Sequence, residues 1–160
     1  MRKLWLLCFV LIPLSGVAPQ ATSPEGFKYW PAASLNDDVQ ALTQKASSDP
    51  HHLATQQLGD FTNEAVLFAH READGLAESH ETQVDVVFVR SGSAMLVVGG
   101  TLVSPETVAP HEQRSGAIEG GVRQKVAAGD MIRIPAKTPH QLLLDGSKEI
   151  SYIVVKVKGY

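Results

Sequence analysis

Cysteine is all but missing from this chain. The one present, Cys8, lies in an apolar run near the N-terminus, which excludes a disulfide framework, a thiol nucleophile with a resolving partner and a cysteine-based zinc site together. Positive charge is also scarce: 14 Lys and Arg stand against 17 Asp and Glu, for a net charge of -3. A broad basic surface for nucleic acid is therefore not expected. GxGxxG and phosphate-loop signatures are absent, and so are long internal repeats. Uninterrupted apolar sequence is short as well. The run from Leu4 to Ile12 falls well below the about 20 residues that cross a bilayer.

That run does have a recognisable setting. Met1-Arg2-Lys3 precedes it and Pro13 to Ala18 follows with small residues, the zones of a secretory signal peptide. The expectation is a signal over 1–21, cleaved after Ala18 or Ala21, and an exported protein, periplasmic or secreted. The mature chain would then have no cysteine, no membrane attachment, and 12 basic against 17 acidic residues.

What remains has the composition of one globular domain, 44% hydrophobic and 19% charged. Residues 22–50 read as a linker and a helix. In the linker Phe27, Tyr29 and Trp30 are expected to pack against the domain. Ser34 is expected to cap the helix, with Asp37 favouring its first turn. Leu35, Val39, Leu42 and Ala46 form one apolar stripe, and the helix should end near Ser47 or Ser48. From 51 to 160 the pattern is of short strands rich in β-branched residues with glycine turns and no βαβ period, which argues for an antiparallel barrel or sandwich. One hairpin is expected to turn at Ser91-Gly92-Ser93. Residues 104–121, with two prolines and three glycines, read as a long loop that either docks at a cavity mouth through Ile118 or remains a surface excursion.

Two polar sets punctuate these strands. In the first, Glu78 and His80 are two residues apart and share a strand face, and Asp85 is a lone carboxylate opening the run Val84 to Val89, where it needs a partner. In the second, Gly129, Pro135 and His140 bracket a strand and a turn. Two imidazoles and one or two carboxylates meet only if these strands lie side by side. Adjacent His51 and His52 face opposite ways in a strand and read as surface histidines. His70 reads as a hydrogen-bonded structural residue.

The same residues resemble the cupins, whose motifs are written G-x5-H-x-H-x3,4-E-x6-G and G-x5-P-x-G-x2-H-x3-N. The first would run through Glu78, His80, Asp85 and Gly92, the second through Gly129, Pro135, Lys137, His140 and Leu144. Glu78 stands at a histidine position, Asp85 at the glutamate, Lys137 at a glycine and Leu144 at the asparagine. Glu72 falls where the first motif begins with glycine, and Gly75 is nearby. The resemblance covers about residues 60–157 and implies a single double-stranded β-helix, an all-β jelly roll, with one short N-terminal helix. It also implies a homodimer.

His80, His140 and Asp85 together form a two-histidine, one-carboxylate set that suits a divalent metal, with Fe, Mn, Zn, Ni and Cu all compatible. Glu78 is either a fourth ligand, the role that its place in the resembled motif implies, or a general base beside the metal. The opposing reading is that these polar groups merely hydrogen-bond to one another inside the barrel. Two functions follow. One is a metal-dependent enzyme acting on a small oxygen-bearing molecule, similar to the cupin dioxygenases or isomerases. The other is a binding module for a sugar or organic acid.

Overall fold

The computed structural model describes residues 22–160. The expected signal segment, 1–21, lies outside them, as does Cys8. Helix α1 spans Ala32–Ser48 and twelve strands follow: β1 Leu53–Asp60, β2 Glu64–Arg71, β3 Ala77–His80, β4 Gln83–Val98, β5 Thr101–Leu102, β6 Glu106–Ala109, β7 Glu112–Ser115, β8 Ile118–Glu119, β9 Val122–Ala127, β10 Met131–Ile134, β11 His140–Leu143 and β12 Ile150–Lys158. Ten of them form one antiparallel sheet that curls on itself into a jelly roll, as the sequence led us to expect.

The curl is made by β4. Its first half pairs with β12 and β10, its second with β11 and β9. The expected hairpin at Ser91-Gly92-Ser93 is therefore not a reversal: the strand runs through Gly92 and passes from one half of the barrel to the other. Gly92 has φ +73, and a Cβ there would come within 2.1 Å of the Glu149 carbonyl oxygen. Only glycine allows the bend. A buried apolar cluster of Val89, Ala94, Leu96, Val126, Ile134, Leu144 and Ile150 fills the space between the halves. Leu144, at the motif's asparagine position, is thus a core residue.

Alternation along the strands separates two environments. Phe68 of β2 and Ile153 of β12 point outward beneath α1, where Leu42, Ala46 and Ala54 complete a second cluster with Leu35 and Val39 packed against it. The helix stripe is as expected, but its start is not. Pro31 occupies the N-cap without a side-chain cap, and Ser34 lies inside the first turn. Proline suits this boundary because its ring fixes φ before the first turn. Of the linker aromatics, Trp30 meets this outer face, whereas Phe27 and Tyr29 are exposed.

Residues 104–121 are also not a featureless loop. β6 and β7 form a hairpin, and β7 pairs with β3. Ile118 is placed by pairing with Leu102. The sequence hid this because Glu112-Gln113-Arg114 alternates no apolar residues; its pairing partner, β3, supplies the order.

Candidate metal and ligand centre

Cross-strand register builds the centre. Glu78 on β3 is opposite His140 of β11 on one side and Arg114 of β7 on the other. Asp85 on β4 is opposite Lys156 of β12. One half of the barrel thus supplies Glu78, His80 and His140, the other Asp85 and Lys156, and the two sets meet across the interior. His80, Asp85 and His140 are buried. A cavity of about 810 Å³ opens beside them, walled in part by Glu78, Arg114, Tyr152 and Lys156.

The distances are short and alternate in charge. His140 Nε2 lies 3.5 Å from Glu78 Oε1 and 3.6 Å from Asp85 Oδ2. His80 Nε2 lies 3.5 Å from Asp85 Oδ2. Lys156 Nζ donates to Asp85 Oδ1 and Oδ2 at 3.1 and 3.0 Å and to His80 Nε2 at 2.9 Å. An ammonium only donates, so His80 accepts at Nε2. His140 donates Nδ1–H to the Thr138 carbonyl at 3.0 Å, which aims Nε2 at the two carboxylates.

Burial alone would push both carboxyls up and the His140 imidazole down. Here the partners win. Desolvation of Glu78 is overcome by the hydrogen bond and charge of His140 and the charge of Lys156, which hold its carboxyl at about 2. Desolvation of Asp85 is likewise outweighed by His140 and Lys156, and its carboxyl stays far below the usual range. His140 is buried, yet Asp85 and Glu78 raise it to about 9. Burial also holds the Tyr152 phenol above its ordinary value, hence protonated at neutral pH. At the rim Arg114 binds Glu112 at 2.8 Å and approaches Glu78 at 3.6 Å.

The donor set fits a divalent metal. Glu78, His80 and His140 each offer an atom within 4.8 Å of the others. Two ligands on a tetrahedral ion at about 2.1 Å stand about 3.4 Å apart, close to the 3.5 Å between His140 Nε2 and Glu78 Oε1. The Nδ1–H bond of His140 to a carbonyl is the outer support usual for a metal-binding histidine. Asp85 reaches both imidazoles at similar distances but is also held by Lys156.

Other sequence candidates fall elsewhere. His70 shares the outward face of β2 with Phe68, and its Nδ1 is 2.7 Å from Ser151 Oγ. Its Nε2 approaches Glu72 and Glu149, a second histidine–carboxylate group among the described residues. His51 and His52 are exposed. His52 is not in a strand but has φ 50 just before β1. Lys137, at the motif's glycine, takes the left-handed conformation, φ 62, and donates its backbone N–H to the His80 carbonyl at 2.7 Å. Sequence reasoning missed Lys156, Tyr152 and Arg114. For the first two a signal existed: Tyr152, Val154 and Lys156 share one parity on β12, and a lysine there faces inward with the cavity-lining residues.

No family model and no curated protein matches the sequence. Solved structures of similar fold include a cupin 2 conserved barrel domain protein from Rhodopseudomonas palustris, 19% identical over 66% of this chain and 60% of that one, TM-score 0.47. This chain thus spans under two thirds of that protein. Others are KdgF from Halomonas sp., 13% identical, covering 71% and 85%, TM-score 0.49, and Pac13 from Streptomyces, a unique nucleoside dehydratase, 10% identical, covering 70% and 74%, TM-score 0.49. At this level of likeness the chemistry is read from the chain's own side chains.

Proposed function

We propose that this chain is an exported, metal-binding cupin that acts on a small oxygen-bearing molecule in the cavity beside Glu78, His80 and His140, as an isomerase or a dioxygenase. The observation that carries the reading is the convergence of these three side chains within 4.8 Å. A bound metal would polarise a substrate oxygen. Glu78 serves as a ligand, because its carboxylate converges with His80 and His140 within 4.8 Å and its negative charge balances a divalent cation. Tyr152 offers a phenol hydrogen to a substrate oxygen, and Arg114 offers a fixed positive charge at the mouth. The partner is a small molecule, with no role for nucleic acid or membrane after signal removal, and the protein acts as a homodimer.

Elemental analysis of purified protein tests the reading. Metal should be present in the wild type and strongly reduced in His80→Ala and His140→Ala, while His51→Ala and His111→Ala keep it. Equal metal in all five proteins would sink the site. Glu78→Gln should lose metal with the histidine variants; retained metal with lost turnover would instead make Glu78 the base. Export is tested separately by N-terminal sequencing of the secreted protein, which should begin near Pro19 or Thr22.

One observation favours a second reading, a non-catalytic binding site for a sugar or organic acid. Lys156 already satisfies Asp85 and His80, so the cluster is charge-paired without a metal.

A further inference from the structure

Lys156 stands among groups that a metal would need. Its Nζ is 2.9 Å from His80 Nε2 and within 3.1 Å of both Asp85 oxygens. The imidazole nitrogen has one in-plane lone pair, which serves either an N–H donor or a metal, not both. Two cations within about 3 Å of each other also repel strongly in a buried setting. Yet Lys156 is not locked in. Its side chain keeps 22% of its exposure, it lines the cavity of about 810 Å³, and its four-carbon stem rotates freely enough to move the ammonium there.

We infer that Lys156 is a built-in competitor for the metal: its ammonium holds His80 and Asp85 in the metal-free protein and withdraws into the cavity when a metal binds. This rests on the metal reading above and adds a determinant of affinity to it. Register makes the device specific to this strand pair, because Lys156 lies directly opposite Asp85. The lysine offsets the cost of burying Asp85 without a metal, and for the same reason it weakens metal binding.

The test is a zinc titration of chelator-stripped wild type, Lys156→Met and Lys156→Arg at one pH, with melting temperatures measured alongside. Lys156→Met should bind zinc at least tenfold more tightly than the wild type, and Lys156→Arg should not. Metal-free Lys156→Met should melt below the wild type, and saturating zinc should close the gap. Zinc binding by Lys156→Met alone would support the competitor and overturn metal binding by the wild type. Equal affinity in wild type and Lys156→Met overturns the competitor and leaves the metal site standing, whereas binding by neither overturns both. A readout on unaltered protein guards against a variant that fails to fold. Acetylation of Lys156, followed by mass spectrometry, should rise severalfold once zinc is bound; unchanged labelling with zinc bound overturns the inference.

Discussion

The two faces of β12 and its neighbours solve burial in opposite ways. Outward, Ile153 and Phe68 sit under Leu42 and Ala46 in a dry contact with the helix, and removal from water alone stabilises them. Inward, one residue along, Tyr152 and Lys156 share the interior with Asp85, Glu78 and two histidines. Each buried charge there is tolerated because an opposite one lies within 4 Å. Apolar burial tolerates approximate fit, whereas the charged interior depends on every partner being present. The same strand therefore carries a face for stability and a face for chemistry.

The largest effect should come from the outer face. Phe68→Ala, which empties a fully buried position, should cost about 4 kcal/mol in urea unfolding and leave metal affinity unchanged; altered affinity would show that the faces are coupled. On the inner face Asp85→Asn should cost about 3 kcal/mol in metal-free protein, since it strips Lys156 and His140 of a buried partner. Combined with Lys156→Met the loss should be less than additive, and strict additivity would break the pairing.

Acidity should act through the inner face alone. His140 is raised from 6.5 to about 9 in the folded protein, so its contribution is complete below pH 6.5 and lost as pH rises through 9. Glu78 is lowered from 4.5 to about 2, so its contribution is complete above pH 4.5 and lost as pH falls toward 2. With chelator present, the melting temperature should hold a plateau between those limits, and His140→Ala should lose the alkaline fall. A wild-type stability that climbs from pH 6.5 to 9 would contradict the charge pairing. The smallest effect belongs to the turn that delivers His140. Lys137→Gly relieves a left-handed backbone and should stabilise by about 0.5 kcal/mol, the strain relieved less the flexibility added to the unfolded chain, as read from the denaturation midpoint.

Periodicity by itself determined the all-β class, the helix stripe of Leu35, Val39, Leu42 and Ala46, and the common face of Glu78 and His80, because these follow from local geometry. It also showed that Asp85 required a partner. It did not say which, since Lys156 is 71 residues away and only the register of β12 on β4 brings the two together. Three further matters belonged to tertiary structure. Gly92 reads locally as a turn, yet its strand continues because both halves of the barrel offer it a pairing partner. The 104–121 segment lacks an apolar period, yet it is ordered by pairing of β7 with β3. His70 and His140 look alike in sequence, and the sheet turns one outward to Ser151 and the other inward to two carboxylates. A side chain's face is fixed by its own strand, but its partner is fixed by the strand laid beside it.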